Sequence, residues 1–172
     1  MEAEEEVKFR FFEKEDWSKI FRIYSEGIKS ENATFFLEAP DWEQWNKEHL
    51  ECCRIVAEIN NEIVGWTALL PFSNRFVYKG VAEVSIYISK EYSGQKIGTK
   101  LLEKQIQESE KNGIWTLQAG IFPDNYASLK IHKNLGFRKV GYREKIGKMD
   151  KPDGAWRDTI LLELRSKTIG IE

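Results

Sequence analysis

The sequence has few of the residues on which disulfide and metal chemistry depend. Its 172 residues include two cysteines, Cys52 and Cys53, and two histidines, His49 and His132. Because the cysteines are adjacent, they cannot join distant segments, and we expect them to be partly buried thiols on an early helix. No group of Cys, His and Asp residues has the spacing of metal ligands. The sequence therefore predicts neither a disulfide scaffold nor a bound metal.

A strong net charge and long apolar runs are also missing. The 26 basic and 28 acidic side chains give a formal net charge of -2, which attracts neither nucleic acid nor an anionic membrane surface. No apolar stretch approaches the roughly 20 residues of a membrane-spanning helix, and the acidic start MEAEEE is unlike a secretory signal. We expect a cytoplasmic protein with no nucleic-acid or membrane partner, in which any polyanion is held by a local site.

The composition is that of one globular domain. Hydrophobic residues make up 41% of the chain and charged residues 31%, which suffices for a single core, and 172 residues are too few for two independent domains. We expect a frayed acidic lead over residues 1–6, a folded domain over residues 7–166 and a tail over residues 167–172.

Hydrophobic periodicity predicts eleven elements in the order β-α-α-β-β-β-α-β-α-β-β. Apolar residues at three- and four-residue steps predict helices after Asp16, Pro40, Gly98 and Asn125. The predicted strands cover residues 7–12, 54–59, 62–70, 81–89, 114–121, 137–146 and 156–164. Between the second and third strands, Asn60-Asn61 is typical of a tight hairpin turn. The pattern predicts an α/β fold with a mixed central β-sheet flanked by α-helices.

The fourth predicted strand has two different faces. Apolar residues at alternate positions share one face and the remaining residues share the other: Ala82, Val84, Ile86 and Ile88 against Glu83, Ser85 and Tyr87. Side chains two apart in a strand point to the same side of the sheet. We therefore expect one face to pack in the core and the other to carry chemistry.

The loop that follows this strand has the features of an anion site. Gly94 and Gly98 let the backbone approach a ligand, and the first helical turn presents unpaired N–H groups with the positive end of the helix dipole. Lys96 and Lys100 add charge at the same end. The same features are typical of a phosphate site and of an ordinary strand-to-helix turn with solvated lysines. The glycine spacing matches neither a nucleotide P-loop nor a dinucleotide fingerprint.

A second motif, N-Y-A-S-L-K-I-H-K-N-L-G-F, runs from Asn125 to Phe137. Together with the loop before it, this motif resembles the GNAT superfamily of acetyl-CoA-dependent N-acetyltransferases. The A-E-V-S-I-Y-I strand at residues 82–88 and Gly154-x-Trp156-x-Asp158 resemble the phosphinothricin and methionine sulfoximine acetyltransferase branch. The resemblance covers nearly the whole chain and implies a single GNAT-type domain and a homodimer. We expect direct transfer of the acetyl group with no covalent enzyme intermediate, because Cys52 and Cys53 lie on a predicted early helix away from the coenzyme segment.

The resemblance also implies which residues bind acetyl-CoA. The main chain of Ile86, Tyr87 and Ile88 would line the pantetheine arm. The phosphates would lie on the loop and the first helical turn, at Gly94, Gln95, Lys96, Ile97, Gly98 and Thr99. Asn125 and Asn134 match further coenzyme-contacting positions. Two positions depart from the family pattern [QR]-x-x-G-x-[GA], because Ser93 replaces Gln or Arg and Lys96 replaces the central Gly.

Acetyl transfer to an amine needs a neutral nitrogen, support for charge on the thioester oxygen and a proton for the departing thiolate. Glu83 is the candidate base, because it lies on the polar face of the strand that leads to the coenzyme loop, and the related enzymes carry glutamate there. Asn125 and His132 are candidates to assist the leaving thiolate. For His132, a purely structural role as a packed residue of a helix is equally compatible with the sequence. A main-chain N–H of residues 86–88 would support the oxyanion.

Candidate acceptor-binding residues lie in two loops. Arg75, in the loop over residues 71–80, is suited to a bidentate grip on a carboxylate, and Tyr78 is placed to assist it. Thr34 and Phe35 match a family segment that walls the pocket. These residues are compatible with a small-molecule amine that carries a carboxylate, and the resemblance implies an acceptor of the methionine sulfoximine or phosphinothricin type. Two alternatives remain: a transferase for a polyamine, an antibiotic amine or a protein N-terminus, and a non-catalytic acyl-CoA-binding sensor.

Overall fold

The strands and helices follow one another in the order that the hydrophobic periodicity predicts. The computed structural model describes residues 6–172, so most of the predicted acidic lead lies outside the described residues. The strands are Lys8–Phe11 (β1), Ile55–Ile59 (β2), Glu62–Pro71 (β3), Val81–Ile88 (β4), Thr116–Ile121 (β5), Arg138–Lys148 (β6) and Trp156–Arg165 (β7). The helices are Trp17–Lys29 (α1), Trp42–Glu48 (α2), Ile97–Lys111 (α3) and Tyr126–Asn134 (α4). The predicted α/β fold class is confirmed.

One mixed sheet runs in the order β1-β2-β3-β4-β5-β7-β6. Its neighbouring strands are antiparallel except for β4 and β5, which are parallel. The parallel pairing covers the three residue pairs from Val81 with Thr116 to Glu83 with Gln118. Within the described chain, residues 84–88 of β4 pair with β3 alone. The sheet therefore splits beyond Glu83 into a first half, β1 to β4, and a second half, β5 to β7.

Two helices cover each face of the sheet. Side chains of α1 and α2 pack on residues of β2 and β3 such as Val56, whereas α3 packs on the alternate residues Ile55 and Ala57. Successive side chains of a strand point to opposite faces, so β2 is buried on both sides. The second half of the sheet packs with α3 and α4 in a third cluster that includes Leu102 and Leu117.

The face under α1 and α2 is largely aromatic. Trp45 and Trp66 are fully buried with ring centroids 5.7 Å apart, and Trp17 packs 5.5 Å from Trp45. Phe21, which the periodicity places in the core, is instead 41% exposed. It lies about 100° around α1 from Ile20, the residue that enters the core, so Phe21 reaches only the rim of the cluster.

Helix α2 ends earlier than its apolar pattern indicates. It stops at Glu48, and the guanidinium of Arg54 donates hydrogen bonds to the carbonyl oxygens of Asn46, His49 and Leu50. These carbonyls belong to the end of the helix, where intrahelical partners are lacking. Arg54 thus caps α2 from the strand side.

The prediction that both cysteines lie on this helix is wrong. Cys52 and Cys53 belong to the connection between α2 and β2, and Cys53 has a left-handed backbone with φ of 62°. Cys53 packs in the core beside Leu102, and burial raises the pKa of its thiol to about 12. It therefore remains a neutral thiol at physiological pH.

His49 makes the stability of the fold sensitive to mild acid. Its side chain stacks on Trp45 with ring centroids 4.1 Å apart, and burial lowers the pKa of His49 from 6.5 to about 4. In the unfolded chain His49 takes up a proton near pH 6.5, whereas in the folded chain His49 stays neutral until the pH approaches 4. The stability from neutral His49 is therefore complete above pH 6.5 and is lost as the pH falls towards 4. Between pH 7 and pH 5 we expect a loss of about 2 kcal/mol.

Urea unfolding of the unchanged chain and of His49→Gln at both pH values tests this expectation. Glutamine does not titrate, so the variant should lose less stability on acidification than the unchanged chain, by the amount above. Other titrating groups contribute equally to both proteins. Identical losses would show that His49 does not cause the acid sensitivity.

Candidate functional site

Glu83 lies at the point where β4 and β5 separate. It is the last residue of β4 that pairs with β5, and its Oε2 accepts a hydrogen bond of 2.9 Å from Nε2 of Gln118. Strand alternation places Glu83 on the α1 face, together with Tyr87, whose ring packs 4.8 Å from that of Tyr24. The half-buried carboxylate is therefore oriented by an amide at the apex of the split.

Beyond Glu83, one edge of β4 is available to a ligand. Residues 84–88 pair with β3 on one side, and no strand of the described chain pairs with them on the other. The predicted arm-binding residues Ile86, Tyr87 and Ile88 lie on this stretch. The side chains of Ile86 and Ile88 pack in the cluster under α3, which leaves the main chain for an extended ligand.

The strand alternation alone suggests that Tyr87 lies on an open, polar face of β4. In the structure its side chain is instead packed among other aromatic rings. Its ring is stacked on Trp66 at 4.9 Å, and its hydroxyl lies beside those of Tyr24 and Thr34. Burial raises the pKa of Tyr87, and it raises the pKa of Tyr24 to about 12. Both phenols therefore stay neutral at physiological pH and form a fixed polar floor beside β4.

The predicted phosphate site lies at the start of α3. Gly94 has φ of 81° and Lys96 has φ of 62°, so both residues occupy the left-handed region that glycine tolerates best. By helix geometry, the N–H groups of the first turn of α3 lack intrahelical partners, and no acidic residue lies in that turn. Lys96 and Lys100 are exposed at the same end. These groups fit a diphosphate.

The other residues of the predicted site differ in burial. Gln95 is exposed, Ile97 is buried and Thr99 is half-buried. Gly98 is buried, and a Cβ at this position would lie 3.0 Å from Cδ1 of Ile131 in α4. Gly98 therefore has a packing role, because a larger residue there would displace α4 as well as any ligand.

The two candidates for assisting the thiolate have structural partners. Asn125 caps α4 by accepting from the N–H of Ser128, and its Nδ2 donates to the carbonyl oxygen of Asn32 at 3.0 Å. His132 is 2% exposed, its Nδ1 lies 2.8 Å from the carbonyl oxygen of Ser128, and burial lowers its pKa. A neutral ring that donates through Nδ1 presents Nε2 as an acceptor. Nε2 is buried and has no partner among the described residues.

The predicted acceptor residues fall into two groups. Thr34 and Phe35 lie between α1 and α2, where Thr34 lies beside the Tyr87 hydroxyl and the Phe35 ring lies 4.9 Å from Phe122. Arg75 and Tyr78 are exposed in the loop between β3 and β4, with the Arg75 guanidinium 5.7 Å from the Tyr78 ring. Within residues 6–172, no ion pair involves Arg75, and no contact joins it to Glu83. Asn134, at the end of α4, is exposed.

Two site residues escape the sequence analysis. Gln118 has a detectable signal, because residues 116, 118 and 120 of β5 are polar or small and alternate with apolar residues. Arg157 has none, since it bonds Glu31 and Asp124, which are 126 and 33 residues away in the chain.

No described group of three or more His, Cys, Asp or Glu side chains is arranged to hold a metal ion. A search of the helices within residues 6–172 finds none with the length and apolar character needed to cross a bilayer.

Comparison with known proteins gives one consistent result. The Acetyltransferase (GNAT) family matches residues 15–137. The Bacillus subtilis protein YwnH is 31% identical over 149 residues, which cover 84% of this chain and 91% of YwnH. The L-methionine sulfoximine/L-methionine sulfone acetyltransferase of Salmonella typhimurium is 26% identical over 164 residues, which cover 92% of this chain and 94% of that enzyme.

A solved structure agrees with the sequence relatives. The GNAT superfamily phosphinothricin acetyltransferase from Sinorhizobium meliloti, in complex with acetyl-CoA, superposes with a TM-score of 0.81 at 25% identity. The match covers 92% of this chain and 88% of that one. The resemblance found in the sequence is confirmed: the chain belongs to the GNAT family and is an acetyl-CoA-dependent N-acetyltransferase.

Proposed function

We propose that the protein acetylates the amino group of a small amino acid or amino-acid analogue of the methionine sulfoximine or phosphinothricin type. Glu83 carries this proposal, because its carboxylate stands at the apex of the split, on the face of the sheet opposite α3. The relative from Salmonella typhimurium is named for L-methionine sulfoximine and L-methionine sulfone, which supports this acceptor class.

Acetyl-CoA, when bound, supplies a thioester as the acetyl donor. In this proposal the loop and first turn of α3, residues 94–99, hold its phosphates, and the free edge of β4 at residues 86–88 holds its arm. The formal net charge of the chain is -2, so the attraction for a polyanion has to come from this end of α3. Lys96 and Lys100 supply positive charge there.

The chain's own residues then act on the acceptor. An amino group is largely an ammonium ion at neutral pH and must lose a proton before it attacks the thioester carbon. Glu83 attracts the ammonium and takes that proton, directly or through a water. The N–C bond forms, the C–S bond breaks and a thiolate leaves, and the second proton of the attacking nitrogen passes to that thiolate. A thiol has an ordinary pKa of about 8.5, so the thiolate leaves with little help from an acid.

Arg75 is proposed to recognise the acceptor carboxylate. Its guanidinium is exposed and forms no ion pair within the described part of the chain, so it is free to bind an anion. The loop that carries Arg75 leads directly into β4, two residues before Glu83. A carboxylate on Arg75 and an ammonium at Glu83 match the two charges of an amino acid.

Replacement of Glu83 tests the proposed base. Glu83→Gln keeps the size of the side chain and an oxygen that accepts from Gln118, and it removes the proton acceptor. We expect kcat to fall by a factor of about 100 or more while KM for acetyl-CoA is unchanged. The assay follows free thiol with methionine sulfoximine as the acceptor, and Glu163→Gln on β7 serves as the matched control. A rate equal to that of the control would remove Glu83 from the mechanism.

Replacement of Arg75 tests the acceptor class. Arg75→Ala should raise KM for methionine sulfoximine by a factor of about 10 to 100, because a charge-assisted bidentate pair is lost. KM for an amine of similar length without a carboxylate should not rise. If both amines lose affinity equally, Arg75 does not read the carboxylate, and acetylation of the second amine alone would favour a polyamine-type acceptor.

Two substitutions of Lys96 distinguish the effect of its backbone geometry on stability from the effect of its charge on coenzyme binding. Lys96→Gly and Lys96→Ala both remove the ammonium, but only glycine relieves the positive φ, so the free energy of unfolding of Lys96→Gly should exceed that of Lys96→Ala by about 1 kcal/mol. Both variants should bind coenzyme A more weakly, by the same severalfold factor. Urea titration and calorimetry measure the two effects. Undiminished affinity in both would show that the main chain alone holds the phosphates.

A further inference from the structure

The loop after α1 touches both halves of the split sheet. Residues 31–35, called the bridging loop below, lie between α1 and α2 on the same face as Glu83. On the first half, the side chain of Thr34 lies beside the hydroxyl of Tyr87 in β4. On the second half, the loop contacts the segment that follows β5 and the start of β7.

Arg157 makes the most extensive of the second-half contacts. Its Nη1 donates to the carbonyl oxygen of Glu31 at 2.8 Å, and its Nη2 lies 3.4 Å from Oδ1 of Asn32. Nη2 also forms an ion pair with Asp124 at 3.0 Å, and the guanidinium lies 3.9 Å from the centre of the Phe122 ring. The side chain is only 21% exposed. A planar guanidinium is thus held on both its edge and its face.

Other groups hold the same loop to the second half. Nδ2 of Asn125 donates to the carbonyl oxygen of Asn32, and the N–H of Asp150 donates to that of Phe35 at 3.0 Å. The Phe35 ring packs against Phe122 and closely over Gly147, where a Cβ would lie 2.9 Å away. The bridging loop is therefore fixed to β4 through one side chain and to the second half of the sheet through several.

The two attachments lie at matching depths in the split. Tyr87 is four residues beyond Glu83 along β4, and Phe122 is four residues beyond Gln118 along β5 and its extension. At a rise of about 3.3 Å per residue, each attachment is about 13 Å from the apex. The bridging loop thus crosses the open end of the split and borders the space in front of Glu83.

We propose that the bridging loop sets the width of the acceptor side of the split, and that Arg157 is the positioning residue that holds it there. Arg157 touches no reacting group and acts through Asn32 and Phe122. Among the described residues no β-ladder joins the two halves beyond Glu83, so their spacing on this face depends on the contacts of the bridging loop. The inference rests on the proposed function only in that the amine approaches from the α1 face.

Replacement of Arg157 should affect KM for the amine much more than KM for acetyl-CoA. In Arg157→Gln we expect KM for the amine to rise about tenfold or more, because small displacements of positioning groups have large kinetic effects. KM for acetyl-CoA and the Kd of coenzyme A should change less than twofold, since the proposed phosphate site at the start of α3 lies on the other face and the proposed arm site is the main chain of β4, which Arg157 does not contact. Arg157→Lys keeps the charge but not the planar fork, and its effect should be intermediate.

Two further variants make the test independent of folding. Asp124→Asn weakens only the exposed ion pair of Arg157 and should give the same selective rise in KM for the amine, of about threefold. Arg138→Gln removes a surface arginine that pairs with Glu163 at 2.7 Å on the same half of the sheet. This control should leave both KM values unchanged.

The inference is overturned if Arg157→Gln and Asp124→Asn change neither KM, or if they raise both KM values in parallel. A merely destabilised protein would lose kcat with its folded fraction, without a selective rise in one KM. If the unchanged chain does not acetylate methionine sulfoximine, the proposed acceptor class fails. The same comparison is then made with whichever amine in a panel releases thiol from acetyl-CoA, so the two failures are distinguishable.

Discussion

Parallel pairing between β4 and β5 lasts for three residue pairs, and the strands then separate although both continue. Unpaired main-chain groups inside a sheet need other partners, because burial without hydrogen bonds is costly. The structure leaves this edge of β4 unpaired among the described residues and places a carboxylate where the pairing ends. The Gln118 amide holds Glu83 at that point, so the position of the proposed base depends on the same register that opens the sheet.

The two faces of the split sheet are built from different side chains. The face under α3 is aliphatic and brings a helix N-terminus close to the end of β4. The face under α1 is aromatic, with the neutral hydroxyls of Tyr24 and Tyr87 fixed among buried rings. Rigid surroundings of this kind suit a reaction in which two substrates must meet at one carboxylate, since correct orientation supplies much of the rate.

Local signals predict most of the fold and part of the site. Each predicted strand agrees with the structure to within two residues at either end, and Asn60 and Asn61 have the positive φ angles of the predicted turn. Glu83 and the loop before α3 are detectable because strand alternation and small residues are local properties. The contacts of Arg157 and the burial of Tyr87 depend on partners distant in sequence, which periodicity cannot reveal. The end of α2 depends on the nearby Arg54 side chain folding back onto it, which an apolar pattern does not show either.

Helix α2 is stabilised in part by Arg54, a residue that lies outside the helix. Seven residues are fewer than the roughly 12 to 15 that an isolated helix needs in water. The carbonyl groups at its end are bonded by a side chain that precedes β2, so the end of the helix is stabilised from the sheet side. Any change that shifts the start of β2 would therefore also withdraw this cap and weaken the helix that contributes Trp42 and Trp45 to the aromatic core.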